Sequence, residues 1–242
     1  MSFMVHTRER SNQSELMDDL EMSSPLLIRT LDHISAINKW LGGNRVTLNA
    51  LKILIKNAPK DKVMSIVDIG CGRGDILREI AQYGRENGYQ FKLLGIDANQ
   101  TTIDYATSLS NRFEEIEYIK LDVLSKEFLT KKFDIALCTL FLHHFNNTTA
   151  LNIIQSLMNN IERGMIINDL HRCRLAYFLF KILSLVIQNK MARADGATSI
   201  LRGFKKTDLL SFSEQINHES IIRWKWAFRY QWMIIKNDCK NN

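Results

Sequence analysis

Nine consecutive residues, Val67-Asp68-Ile69-Gly70-Cys71-Gly72-Arg73-Gly74-Asp75, carry the densest chemical content of this 242-residue chain. Gly70, Gly72 and Gly74 have no Cβ, so the backbone can turn sharply and a ligand can come close to it. A helix opening near Gly74 aims its free N–H groups at that ligand. Asp97 lies in the run Gly95-Ile96-Asp97-Ala98-Asn99, 23 residues beyond Gly74, at the end of an apolar strand. A carboxylate there can accept from both hydroxyls of a ribose, a charge-assisted arrangement. Asp68, two residues before the first glycine, can accept bonds from the loop or bind an amino group. Together these residues describe a site for a nucleoside-bearing ligand at the mouth of a parallel sheet. The alternative is that the three glycines only make a tight strand-to-helix turn. The strand before them, the helix after them, Asp97, and Asp122 behind a third strand favour the ligand.

A second group could move protons. His143 and His144 follow an apolar strand, and an imidazole titrates near neutral pH, so either could take a proton from a bound reactant. The bland alternative gives one a capping role and packs the other under the loop. Asp169 and His171 follow a later strand. Residues i and i+2 share a side of an extended chain, so this pair could form a carboxylate-oriented imidazole. Arg172 and Arg174 beside them could bind an anionic or carbonyl group. Here the alternative is a polar end cap for the next helix, with solvated arginines. The four cysteines, Cys71, Cys138, Cys173 and Cys239, form no C-x-x-C pair, and no His or Cys neighbour has metal-binding spacing. Free thiols in a reducing cytosol and no bound metal are expected.

The elements that must position these groups are legible from periodicity. Residues 1 to about 14 read as a loose polar tail. From Glu15 to Lys56, Leu16, Leu20, Leu27, Leu31, Ile34, Ile37, Trp40 and Leu41 recur at helical steps, broken by Gly42-Gly43. A further helix over about Val46 to Ile55 stops at Asn57-Ala58-Pro59. After Pro59 strands and helices alternate. Val63–Ile69, Phe91–Ile96, Ile116–Leu121, Phe133–Cys138 and Met165–Leu170 read as strands. Ile76–Tyr83, Thr101–Leu109 and Ala150–Ile161 read as helices. Such alternation, with near-continuous Ile, Val and Leu in the strands, predicts a doubly wound α/β domain with helices on both faces. Ile221–Phe228 and Tyr230–Ile235 predict an antiparallel hairpin at the sheet edge. Between Leu170 and Asp208, an apolar helical segment, Leu175 to Ile187, and a polar run through Gly196 read as an inserted lid. The predicted organisation is a helical cap over 1–59 and a core over 60–242, with the lid at about 171–206.

Composition restricts the classes further. Hydrophobic residues make up 45% and charged residues 24% of the chain, as in a soluble globular protein. The first twenty residues hold no apolar h-region, and Leu175 to Ile187 is interrupted by Lys181 and too short to cross a bilayer, which takes about 20 residues. No secretory signal and no transmembrane segment are expected, which places the protein in the cytoplasm. The net charge of +6 is more simply a solvated surface than a polyanion site. Eight basic residues from Arg202 to Lys240 against four acidic ones keep nucleic acid open as a disfavoured partner. The apolar lid, with Tyr177, Phe178 and Phe180, suits a small hydrophobic or aromatic ligand, or else is plain core packing.

The G-x-G-x-G spacing, in place of G-x-G-x-x-G, favours S-adenosylmethionine over a dinucleotide. At this point the chain resembles the class I S-adenosylmethionine-dependent methyltransferases. Val67 to Asp75, including Cys71, is similar to the family's first motif. Gly95-Ile96-Asp97 resembles its second, whose acid binds the ribose. Leu121-Asp122-Val123 resembles the third, which flanks the adenine. Phe133 to Cys138 resembles the fourth strand, and Leu140 to Phe145 the segment bordering the methyl group. The resemblance covers about residues 60 to 170 and the closing hairpin. It implies a Rossmann-like, seven-stranded, mostly parallel sheet with an antiparallel last strand. It also implies cofactor contacts from Asp68, Gly70, Cys71, Gly72, Gly74, Asp97, Ala98, Asp122, Val123, Cys138 and Leu140. Ile37 to Gly43 and Asn168-Asp169-Leu170-His171-Arg172 look like bacterial small-molecule methyltransferases of quinone and polyketide pathways. No Asn-Pro-Pro-Tyr run follows the fourth strand, which weighs against a nucleobase amine as target. The expected activity is methylation of O or C on a small hydrophobic or aromatic acceptor, with His143, Asp169 and His171 as candidate catalytic residues. An RNA or protein methyltransferase, a non-catalytic cofactor-binding module and a nucleotide-dependent oxidoreductase are the competing readings. A homodimer is the candidate assembly.

Overall fold

The computed structural model describes residues 5–125 and 127–236; Cys239 and Lys240 lie outside the described residues. Seven strands form one sheet: β1 (Val63–Ile69), β2 (Gln90–Asp97), β3 (Ile116–Lys120), β4 (Phe133–Thr139), β5 (Ile161–Leu170), β6 (Glu219–Lys225) and β7 (Arg229–Ile235). Their order is β3-β2-β1-β4-β5-β7-β6. The first five are mutually parallel, and β7 runs antiparallel between β5 and β6. The expected hairpin is therefore present, with its second strand inside and its first at the edge. Burial explains the placement, because β7 is buried nearly throughout while β6 is half exposed along its length.

Side-chain alternation divides the core in two, as a period of 2 requires. Met64 and Ile66 of β1 pack beneath α2 (Gly43–Leu54) and α3 (Asp75–Asn87), against Leu51, Leu77 and Ile80. Val67 and Ile69 face the opposite side, where α5 (Asn147–Asn160) and α8 (Lys206–Glu214) bring Ile153, Leu157 and Phe212. Helix α8 is not among the expected elements, because its nine residues hold few apolar positions. Helix α4 (Gln100–Leu109) packs along β2 and β3. Helix α1 (Pro25–Trp40) lies across α2 and α4.

Two segments differ from expectation. The N-terminal stretch expected to be a loose tail to about residue 14 is tied down from residue 7. Arg172 donates to the Thr7 and Arg8 carbonyls, and the Ser11 N–H donates to the Leu201 carbonyl at 3.0 Å. The N-terminal segment contributes only backbone groups to these bonds, and they leave no periodicity in the sequence. After β5, the expected polar run is a second helix. Helix α6 (Arg174–Leu183) is followed by α7 (Lys190–Arg202), capped by the Asn189 side chain accepting from the Ala192 N–H. Buried Asp195 on α7 accepts from the N–H groups of Leu16 and Met17 at 2.8 and 3.1 Å, which explains a polar residue in a packed helix.

Trp232, fully buried in β7, donates its indole N–H to Ser220 Oγ across the hairpin. Trp232→Ala should cost about 3–5 kcal/mol in urea unfolding, as expected for emptying a core aromatic site. A loss below about 1 kcal/mol would contradict an inner β7.

Candidate active site

The strand order reverses between β1 and β4, and there a parallel sheet leaves a crevice beyond its carboxyl ends. A cavity of about 900 Å³ opens at this point. Gly70, Gly72 and Gly74 all have positive φ (66°, 52° and 76°), the left-handed region that glycine enters at little cost. Only Gly72 has open space around a Cβ position; at Gly74 a Cβ would collide with the Tyr118 hydroxyl. Gly74 thus serves the turn and the packing, while Gly72 faces the cavity.

Asp68, buried, and Asp97, half-buried, flank this loop on adjacent strands. Asp97 accepts from the Gly72 N–H at 3.2 Å and the Asn99 N–H at 3.0 Å. Burial pushes its carboxyl up, partly offset by those N–H groups. Neither oxygen of Asp68 has a hydrogen-bond partner among the described residues. Burial, aided by the Asp97 charge, holds that carboxyl well above its usual range. Ala98, Asp122, Val123 and Leu140 line the same cavity, as does Cys71. Leu140 sits at φ 54°, its N–H donating to the Asn168 carbonyl at 2.8 Å. Cys138 does not reach the cavity; strand alternation turns it into the core and gives Thr139 the cavity side.

The proton-handling residues are rearranged relative to the sequence expectation. Asp169 does not orient His171. It bonds His143 instead, with Nδ1 at 2.7 Å from one oxygen and the His143 backbone N–H donating to the other at 3.2 Å. The turn at Leu142–His144 folds back over the end of β5 and captures the carboxylate first. Burial alone would raise the Asp169 carboxyl, but the His143 ring more than offsets this and holds it below its usual range. His171 lies outside the cavity, with Nδ1 accepting the Trp224 indole N–H at 3.2 Å and the ring against Tyr230. His144 lines the cavity, its Nδ1 bonded to Asp18 at 2.6 Å.

Several residues here had no signal in the sequence. Glu15 reaches the cavity from the N-terminal segment, with Oε1 3.6 Å from His143 Nε2, 3.9 Å from His144 Nδ1 and 3.8 Å from Arg202 Nε. Its other oxygen takes a bond from Ser199 at 2.7 Å. Burial, opposed by His144, Ser199 and Arg202, raises its carboxyl to about 7. Glu15, His143 and His144 thus place three potential ligand atoms within 4.8 Å of one another. The Arg202 guanidinium, which also pairs with Asp18 at 2.6 Å, already supplies positive charge there. Asn99, at the start of α4, holds the same segment: its Nδ2 donates to the Leu20 and Met22 carbonyls. Arg229 also lines the cavity, and its one sequence signal is a lone charge within Trp226 to Ile235.

Residues 66–164 match the family model described as "Methyltransferase domain". The plantazolicin methyltransferase BpumL, solved with SAH, superposes with a TM-score of 0.63 at 16% identity, over 89% of this chain and 91% of that one. The magnesium protoporphyrin IX methyltransferase ChlM from Synechocystis PCC 6803 gives 0.55 at 14% identity, over 90% of each chain. The CurJ carbon methyltransferase gives 0.60 at 9% identity, over 80% of this chain and 53% of that one. No curated protein matches in sequence. At such identities the likeness concerns the fold. With the methyltransferase domain matched over residues 66–164, it supports an S-adenosylmethionine-dependent methyltransferase. No helix among the described residues is long and apolar enough to cross a membrane.

The raised Glu15 carboxyl has a measurable consequence. A group raised in the folded state contributes stability below its unfolded pKa and loses it as pH climbs through the folded value, here from about 4.5 to about 7. Glu15→Gln should therefore gain on the native protein between pH 4.5 and 8, by on the order of 2 kcal/mol. Urea midpoints across that range test this; a difference that stays constant would show that Glu15 is not raised.

Proposed function

We propose that this enzyme methylates an oxygen of a small, largely apolar or aromatic acceptor, with His143 as the base. The observation that carries this reading is the buried Asp169–His143 pair. Nδ1–H donates to Asp169, and the Nε2 lone pair is left on the Glu15 side of a residue that lines the cavity. A carboxylate-fixed imidazole suits removal of a proton from a hydroxyl as it becomes a nucleophile. Methylation at carbon needs a base only when the carbon is activated, so the same pair serves that alternative.

The residues at the cavity fit the cofactor. Asp68 offers two buried acceptor oxygens that a cationic amino group would satisfy, since buried carboxylates rarely go unpaired. Asp97 would take the ribose hydroxyls, Gly72 would let the ligand lie against the backbone, and Asp122 and Val123 would flank the adenine. When bound, S-adenosylmethionine supplies an activated methyl group on a positively charged sulfur, open to in-line displacement. The protein's own work is then to hold the acceptor oxygen close, at roughly 3–3.5 Å, and to exclude water. Ala176, Leu179, Phe180 and Leu183 of α6 roof the acceptor side, and Trp40 and Trp226 stand exposed at its rim. Helices α6 and α7 act as the lid, and the N-terminal segment with α1 as the cap. Arg202 and Arg229 are buried, which removes two cations from the basic C-terminal stretch and weakens an RNA reading.

Two variants test the two halves of the site. Asp97→Ala should weaken S-adenosylhomocysteine binding at least about ten-fold by calorimetry, as for loss of a charged hydrogen bond. Unchanged affinity would place the ribose elsewhere. His143→Ala should keep that affinity and lower methyl transfer to hydrophobic phenols by about 10²–10⁴-fold. Undiminished transfer would remove His143 as base. No transfer by the native protein, with cofactor bound, would favour a non-catalytic module.

A further inference from the structure

The acceptor half of the cavity holds one unneutralised cation. Arg229 is 3% exposed, and its Nε and Nη1 are buried with no hydrogen-bond partner among the described residues. It lines the cavity beside Leu170, Trp226 and Phe228. Burial lowers its guanidinium to about 10, partly offset by Asp169, so it stays charged at neutral pH. Every other buried arginine here is engaged: Arg172 bonds Asp208 at 3.1 Å and several carbonyls, and Arg202 bonds Asp18 and the carbonyl of His143. A buried guanidinium normally spends its donors in this way, so an idle one lining a cavity offers them to a ligand acceptor.

The surroundings select an anion as well. Alternation along β7 points Tyr230 and Trp232 to one face and Gln231 to the α2 face, where its side chain donates to the Val46 carbonyl at 2.6 Å. Arg229 shares that face, and its Cζ lies 3.0 Å from where a Cβ on Gly43 would stand. Gly43 opens α2, whose N-cap Gly42 supplies no side-chain cap. A cation against the positive end of a helix is unfavourable, and an anion seated between them is favoured by both. Asn44 in the first turn of α2 lines the same cavity.

We propose that Arg229 and the start of α2 anchor a carboxylate carried by the methyl acceptor, so that the substrate is an apolar or aromatic compound bearing a carboxylate. The inference rests on the methyltransferase reading given above and adds the acceptor's charge to it. The cofactor's own carboxylate is a poor candidate for this seat. It sits on the same carbon as the amino group assigned to Asp68, and β1 and β7 are three strand spacings apart, about 14 Å at the backbone. The planar fork of arginine matches a carboxylate in two parallel bonds, and the aromatic rim accommodates the remainder of the molecule.

The test uses 2-naphthoate and its neutral analogue 2-naphthamide as probes, titrated calorimetrically into the full-length protein with and without S-adenosylhomocysteine. The native protein should bind the naphthoate at least about ten-fold more tightly. Arg229→Met should bring the preference below about two-fold, Arg229→Lys should restore part of it, and both should keep cofactor-product affinity within about two-fold. Removing an unpaired buried charge should leave the thermal midpoint of Arg229→Met equal or higher. Equal binding of the two probes, or no naphthoate binding at millimolar concentration, overturns the proposal. So does a ten-fold loss of S-adenosylhomocysteine affinity in Arg229→Met, which would give the arginine to the cofactor. Failure of the native protein to bind S-adenosylhomocysteine would instead overturn the cofactor reading. The naphthoate preference without cofactor would still decide the role of Arg229.

Discussion

Between β1 and β4 the winding of the sheet reverses, and no crossover helix covers the gap that this leaves. Everything chemical in the protein collects at that gap. The glycine loop and Asp68 reach it at the end of β1, and Asp97 from the end of β2 beside it. His143 reaches it because the chain leaving β4 must turn over the same edge. The apolar strands below make the mouth dry, and dryness strengthens each polar contact there as well as the cost of each one left unmade.

The charges at the mouth are incomplete in a patterned way. Toward β2, Asp68 presents two buried oxygens without donors; toward β7, Arg229 presents buried donors without acceptors. The two deficits have opposite sign and lie on opposite flanks of the His143–Asp169 pair in strand order. A protein folded only for stability gains nothing from either, because isolated buried charge is destabilising. Their coexistence suits the two ligands proposed above, one offering positive charge and one negative, on either side of a fixed imidazole. The paired groups, Asp169 with His143 and Arg202 with Asp18, hold the frame between them.

Legibility from sequence followed the physics of each element. The strands of the parallel sheet were readable because burial on both faces leaves continuous apolar runs, and the glycine loop because only glycine tolerates its backbone angles. Asp97 was readable because a strand fixes its distance from the loop. Helix α8 and the second half of the lid were not, because polar residues such as Asp195 are buried there by long-range hydrogen bonds that carry no period. Asp169 was seen as half of a pair, but its partner comes from 26 residues away and not from i+2. Glu15 was invisible for the same reason, since nothing local says that the chain's beginning crosses the sheet's mouth. Arg229 is legible as a charge among aromatics within the basic C-terminal stretch, but its burial depends on the packing of β7 beside α2 and has no local signal.

One amide side chain joins three events that the sequence keeps apart. Asn99 caps α4 through the Thr102 N–H, grips the carbonyls of Leu20 and Met22, and gives its own N–H to Asp97. The crossing segment is thus fastened beside Asp97, the acid proposed to hold the ribose. Entry and departure of the nucleoside must disturb the fastening whenever they disturb that acid. With the cofactor seated as proposed, traffic through the pocket and the anchoring of the first two dozen residues share a single latch.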